Sequence, residues 1–121
     1  TQAVRKVFPN EELFQYTPFR PDDEREALGP YADIEGAIET IEATLKSEAP
    51  IDAVIGFSMG SNLASVLAAR ACLGIGPPLR CVVHLSPAGF PPDFLKQVPT
   101  LFTAKLPIPA LVSHGIQEPF P

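Results

Sequence analysis

Apolar residues recur at intervals of three and four between positions 34 and 45 of the chain. They are Ile34, Ala37, Ile38, Ile41 and Leu45. This spacing places them on one face of an α-helix. Asp33 is the expected N-cap of this helix, and Glu35 would favour the positive end of its dipole. Pro50 disfavours helical geometry in the residue before it, so we expect the helix to end near Ser47 to Ala49.

A second pattern begins directly after this helix. The stretch "IDAVIGF", residues 51–57, is a short apolar run with little alternation, which predicts a parallel strand buried on both faces. The Ala- and Leu-rich stretch that follows Ser58 predicts a helix that ends at Gly74. "RCVVHLS" and "IPALVSHG" predict two further strands, with a short helix around Asp93 to Gln97 between them.

This alternation of helices and strands predicts an α/β fold with a parallel sheet and flanking helices. The stretch "ELFQYTPF" near the beginning of the chain predicts a short strand stopped by Pro18. The charged, turn-rich residues 20–31 predict a solvated loop. We expect a single domain over residues 1–121, one that is incomplete because the chain opens with Thr1 and not with Met.

Composition narrows the classes of function. Apolar residues make up 45% of the 121 residues and charged residues 19%, the balance of a globular protein. The net charge is −5 and no Lys/Arg cluster is longer than Arg5-Lys6, so we expect no nucleic-acid partner. No apolar run reaches the roughly 18 residues of a membrane span, and no signal peptide is evident, which favours a cytoplasmic protein.

Cysteine and histidine usage indicates no metal site. Cys72 and Cys81 lie in apolar surroundings without CxxC spacing, and we expect both to be buried free thiols. The two histidines have no acidic or cysteine partner at ligand spacing other than Glu118, and one pair does not make a metal site. We therefore expect no metal and no cofactor.

The segment Gly56-Phe57-Ser58-Met59-Gly60 matches the pattern G-x-S-x-G between the predicted strand and helix. In a nucleophile elbow the sharp strand-to-helix turn leaves no room for side chains two residues before and after the serine, and Gly56 and Gly60 meet that demand. The turn exposes the serine hydroxyl near the positive end of the next helix. Ser58 is therefore the candidate nucleophile; the alternative is a glycine-rich turn with a capping serine.

Together these stretches resemble the FSH-type serine hydrolases, a branch of the α/β-hydrolase superfamily. The resemblance rests on "YADIEGAIETIEATLKS", "DAVIGFSMGSNLASVLA", "CVVHLSPAGFPP" and "LPIPALVSHGIQEPF". It implies a partial α/β-hydrolase fold that acts on esters or thioesters of small molecules through an acyl-serine intermediate. It assigns the nucleophile to Ser58, an oxyanion-hole N–H to Met59 and the triad acid to Glu118.

The chain departs from the family pattern in two ways. The family usually has Asp at the position of Glu118 and Gln-Gly-Ala where this chain has Met59-Gly60-Ser61. The triad histidine follows the acid in this superfamily, so it is expected beyond residue 121, and the first strand with its second oxyanion donor is expected before residue 1.

Two histidines within the chain are weaker candidates for the base. His84 lies inside a predicted strand, where a core or sheet-edge role is the usual one. His114 ends a predicted strand at the carboxyl edge of the sheet. Without a base the serine is a weak nucleophile, and loss of a triad member costs about 10⁴ to 10⁶ in rate, so we expect weak or no activity from this chain alone.

Two other functions fit the same residues. One is a non-catalytic α/β module that binds a partner chain at an exposed sheet edge. The other is an acyltransferase, because the same elbow serves transfer when water is excluded from the acyl-enzyme.

Overall fold

The computed structural model describes residues 34–90 and 92–116. Along this part of the chain the elements are α1 (Ile34–Ser47), β1 (Ala53–Phe57), α2 (Gly60–Cys72), β2 (Cys81–Leu85), α3 (Pro92–Gln97) and β3 (Ala110–Ser113). The predicted order of helices and strands is confirmed. The predicted strand in residues 12–19, the predicted loop at 20–31 and the expected N-cap Asp33 lie outside the described residues.

Helix α1 follows the periodicity that predicted it. Ile34, Ala37, Ile38 and Leu45 are buried, and Ile41 is half-buried against the same cluster of core side chains. The helix ends at Ser47, within the range that Pro50 predicts. Its opposite face is polar, and its apolar face packs on α2.

The three strands form one parallel sheet in the order β1-β2-β3. Phe57 of β1 pairs with Leu85 of β2, and Leu85 pairs with Ser113 of β3. The carboxyl ends of the strands therefore lie along one edge of the sheet. The residues that follow them are Ser58, Ser86 and His114.

Helix α2 packs against the sheet through small side chains. Ala64 and Ala68 are buried against Val82 of β2 and the half-buried Val54 of β1. Because alanine side chains are short, the helix axis can approach the strands closely. Larger residues on another side of α2, Leu63, Val66 and Leu67, join the core that includes the apolar face of α1.

The prediction that β1 is buried on both faces is wrong. Gly56 is buried on the side of α2, but Ile55 is 68% exposed and Phe57 is 69% exposed on the other side. The register places Leu85 on that same side, and it too is exposed. An uninterrupted apolar run contains no polar residue that would mark an open face, so the sequence pattern could not distinguish the two cases.

The end of α2 carries the glycine stop expected from the sequence. Gly74 has a left-handed φ of 72°, which glycine adopts without steric cost. Its N–H donates to the Ala71 carbonyl over 3.1 Å, and the Ile75 N–H donates to the Arg70 carbonyl over 3.0 Å. These two bonds form a Schellman motif and satisfy carbonyl groups of the last turn.

An ion pair between the buried Glu42 and the partly exposed Arg70 joins α1 to the end of α2. The Glu42 side chain is buried, and its two carboxylate oxygens accept from Arg70 Nε over 2.6 Å and from Arg70 Nη2 over 3.2 Å. Arg70 Nη2 also donates to the Ile75 carbonyl over 3.3 Å. The hydrogen bond that Arg70 donates to the Glu42 carboxylate raises the pKa of Arg70 above its ordinary value. This contact fixes the two helices and the turn after α2 relative to one another.

The two cysteines are free, as predicted, but the prediction that they are buried is wrong. Cys72 is exposed and Cys81 is half-buried. Burial along α2 ends at Ala69, and Cys72 is the last residue of the helix, beyond the face that packs in the core. The residues that flank Cys72 and Cys81 in the sequence did not show that the two side chains would be accessible to solvent.

Candidate active site

Ser58 lies in the turn between β1 and α2, with its backbone in the left-handed region at φ 51°. A non-glycine residue in this region costs about 1–3 kcal/mol and persists where the surrounding structure holds it. Here the Ser58 N–H donates to the Leu85 carbonyl over 2.9 Å, and the Ser58 carbonyl accepts from the Ser61 N–H over 3.1 Å. The turn therefore fixes a half-buried serine at the carboxyl edge of the sheet.

The two glycines of the elbow differ in their surroundings. A Cβ at Gly56 would lie 2.6 Å from the Gly60 carbonyl oxygen and 2.6 Å from the Ser61 Cα, distances that real Cβ atoms do not tolerate. A Cβ at Gly60 would meet no atom of its surroundings within 4 Å. The steric demand expected from the sequence is therefore present at Gly56, and the structure differs from that expectation at Gly60.

Two polar side chains of α2, Ser61 and Asn62, support the turn and are almost fully buried. Ser61 Oγ donates to the Gly56 carbonyl over 2.9 Å. Asn62 Nδ2 lies 3.4 Å from the Gly89 carbonyl. These roles were not predicted from the sequence, although polar residues on a buried stretch of helix are a signal of such support, because buried polar groups need partners.

A loop at residues 86–90 follows β2 and lies against the elbow. It begins at Ser86, whose φ of 45° is also left-handed, and whose N–H donates to the Ser113 carbonyl over 2.7 Å. The Ala88 N–H donates to the Ser58 carbonyl over 3.2 Å. This loop was not identified as part of the site from the sequence, because the contact joins residues far apart in the chain.

Met59 occupies the N-cap position of α2 directly after the serine, with helical dihedral angles. The first turn of this helix contains no acidic residue. The amino end of a helix carries a partial positive charge, so negative charge that develops beside Ser58 would be favoured there. The oxyanion role of the Met59 N–H stays a prediction. The Met59 side chain packs against the core cluster that contains Phe94.

The two histidines lie at different places in the sheet. His84 is in register with Gly56 on β2, is half-buried, and has its pKa lowered by that burial. His114 is exposed and follows β3 at the same edge as Ser58. Strands β1 and β3 are separated by β2, which puts their backbones about 9–10 Å apart. Glu118 lies outside the described residues. Among the candidate site residues, the structure places Gly56, Ser58, Met59 and Gly60 at the turn after β1, and His114 at the same edge of the sheet.

Residues 34–90 and 92–116 contain no group of three or more histidine, cysteine, aspartate or glutamate residues that could hold a metal ion. In the same part of the chain, no helix has both the length and the apolar character needed to cross a membrane.

A parallel strand that leads through a G-x-S-x-G turn with a left-handed serine into a helix is the nucleophile-elbow arrangement of the α/β-hydrolase class. The family model described as serine hydrolase (FSH1) matches residues 4–119. The chain therefore belongs to this serine hydrolase family, and the resemblance noted in the sequence is confirmed. No curated protein and no solved structure matches the chain.

Proposed function

We propose that this chain is a serine hydrolase that cleaves carboxylic esters or thioesters of small molecules, with Ser58 as the nucleophile. The observation that carries the proposal is the left-handed backbone of Ser58 at the carboxyl edge, held by bonds to Leu85 and Ser61. Membership of the family supports the reaction class. A serine that served only to cap a helix would not need this strained conformation, because N-cap residues typically have β-region dihedral angles.

In the proposed reaction Ser58 Oγ attacks the acyl carbon and gives its proton to a general base. The carbonyl oxygen becomes negative and accepts a hydrogen bond from the Met59 N–H at the amino end of α2. The bond from the acyl carbon to the leaving oxygen or sulfur then breaks, and the leaving alcohol or thiol takes the proton from the base. In the second half of the reaction water gives a proton to the base and attacks the acyl carbon; the bond from that carbon to Ser58 Oγ breaks, Oγ takes the proton from the base, and the carboxylic acid leaves.

The base is proposed to be a histidine oriented by Glu118; the superfamily order places that histidine after the acid, whereas His114 precedes Glu118. A base must come within about 2.6–3.2 Å of Ser58 Oγ, directly or through one water. His114 is the histidine that the described part of the chain offers at the carboxyl edge. His114→Gln therefore belongs in the test of the proposal.

The experiment is labelling of the purified protein with a fluorophosphonate, which forms a covalent bond with an activated serine. Because an unpaired serine reacts slowly, we expect weak labelling of the wild type that increases with exposure time, and none of Ser58→Ala. Ser47→Ala, which changes an exposed serine at the end of α1, is the matched control and should label like the wild type. Labelling that persists in Ser58→Ala, or a folded wild type that does not label, contradicts the proposal. A loss of labelling in His114→Gln identifies that residue as the base.

A further inference from the structure

Three phenylalanine rings pack together at the end of the loop that contacts the elbow. The ring centroids of Phe90 and Phe94 are 5.2 Å apart in a stacked arrangement, and those of Phe90 and Phe102 are 5.5 Å apart. Phe94 is fully buried, whereas Phe90 is 43% exposed. Phe90 therefore rests on the core on one side and presents apolar ring surface to solvent on the other.

Two hydrogen bonds hold the loop that carries Phe90 against the turn that contains Ser58 and against α2. The Ala88 N–H donates to the carbonyl of Ser58, and Asn62 Nδ2 reaches the carbonyl of Gly89. Phe90 is two residues after Ala88, and two residues of chain span at most about 7 Å. The ring is thus carried on a segment that is bonded directly to the backbone of Ser58.

Met59, the residue after Ser58, is a further apolar side chain associated with the same core. Its side chain packs against the core cluster that contains Phe94 and Leu101, and Phe102 packs against the same cluster. Met59, which adjoins Ser58, and Phe102, which contacts Phe90, therefore pack on the same apolar cluster.

We propose that Phe90 is a specificity-determining residue that contacts the acyl group of the substrate. This inference rests on the proposed function and narrows it to esters or thioesters whose acyl group carries a hydrocarbon tail. The loop at residues 86–90 forms one wall of the acyl site, and its bonds to Ser58 and Asn62 set the distance between that wall and the reacting carbon.

The test compares the rates at which two fluorophosphonates label Ser58, one with a methyl group and one with a decyl chain. We expect the wild type to react faster with the decyl probe, and Phe90→Ala to reduce that preference about tenfold, which corresponds to ~1.4 kcal/mol of lost contact. Leu73→Ala, which shortens an exposed leucine at the other end of α2, should keep the wild-type preference. Phe90→Tyr, which keeps the stacked ring and adds a hydroxyl group, should lower the preference without affecting the fold.

The outcomes separate this inference from the proposed function. Wild-type labelling with a decyl preference that falls in both Phe90 variants supports both. Wild-type labelling with a preference unchanged in the folded Phe90 variants overturns the role of Phe90 and leaves the proposed function standing. A folded wild type that reacts with neither probe overturns the proposed function, and the assignment of Phe90 falls with it.

Discussion

Ser58 and Ser86 occupy matching positions at the carboxyl ends of neighbouring strands, and both have left-handed backbones, at φ 51° and 45°. The Ser58 N–H donates to the carbonyl of Leu85, the residue before Ser86, and the Ser86 N–H donates to the carbonyl of Ser113. The hydrogen bonds of the sheet thus continue one residue past each strand while the chain turns. Two strained residues therefore stand side by side along the edge that contains the candidate site.

Strain at Ser58 predicts opposite effects of one substitution on stability and reactivity. Ser58→Gly removes a backbone penalty of about 1–3 kcal/mol but adds about 0.5–1 kcal/mol of unfolded-chain entropy. We expect the free energy of unfolding, measured by urea denaturation, to rise by about 1 kcal/mol while fluorophosphonate labelling disappears. Ser47→Gly, at the end of α1, lacks this strain and should not gain stability. A Ser58→Gly variant less stable than the wild type would contradict the strain assignment.

The two glycines of the elbow should respond differently to alanine. Gly56→Ala forces a methyl group against the backbone of Gly60 and Ser61, so we expect a loss of about 3 kcal/mol or more in the free energy of unfolding, together with loss of labelling. Gly60→Ala should stay within about 1 kcal/mol of the wild type, because its Cβ meets open space and alanine favours a helix. Equal losses of unfolding free energy in the two variants, measured by urea denaturation, would show that the space around each Cβ does not determine the cost of the substitution.

The contact between Glu42 and Arg70 should contribute measurably to stability. Arg70→Leu leaves a carboxylate that is only 6% exposed without its cation, and we expect a loss of about 2 kcal/mol, reduced from that of a fully buried pair because Arg70 is partly exposed. The double variant Glu42→Leu/Arg70→Leu should recover part of that loss, since no buried charge remains. Arg80→Leu changes an exposed arginine and should cost less than about 0.5 kcal/mol.

The single variant Glu42→Leu completes the double-mutant cycle, and all the variants are measured by urea denaturation at one pH and one salt concentration. If the double variant loses the sum of the two single losses, the two side chains are not coupled.

Burial of His84 predicts a pH dependence of stability. The folded chain holds the pKa of His84 below its ordinary value, so the unfolded chain binds the proton first as the pH falls. The stability associated with neutral His84 is therefore complete above about pH 6.5 and is lost as the pH falls through the folded pKa, by at most about 1.4 kcal/mol per pH unit. Urea midpoints at several pH values between 5 and 7.5 should fall less steeply in His84→Gln. An unchanged slope in that variant would exclude His84 as the source.

The sequence was sufficient to predict the elements that depend on local patterns. The periodicity of α1 and the glycine stop at Gly74 both correspond to the structure, and so does the strand-turn-helix around Ser58. These features depend on residues that are close together in the sequence, so the spacing of apolar residues and the backbone preferences of single residues are enough to predict them.

Features set by distant contacts could not be predicted in the same way. The exposure of Ile55 depends on which elements cover the sheet, and its local sequence is the same in either case. The bond from Ala88 to Ser58 and the support from Asn62 join residues that only the register of β1 and β2 brings together. The partner of the nucleophile likewise depends on tertiary placement, which spacing in the chain does not encode.

The Ser58 carbonyl accepts two N–H groups, one from Ser61 in its own turn and one from Ala88 in the loop after β2. The elbow and that loop are thus coupled, because a shift of either one would stretch the hydrogen bond from the Ala88 N–H to the Ser58 carbonyl. For protein engineering, this means that a change in residues 86–90, the loop proposed to contact the acyl group, would also shift the backbone of Ser58.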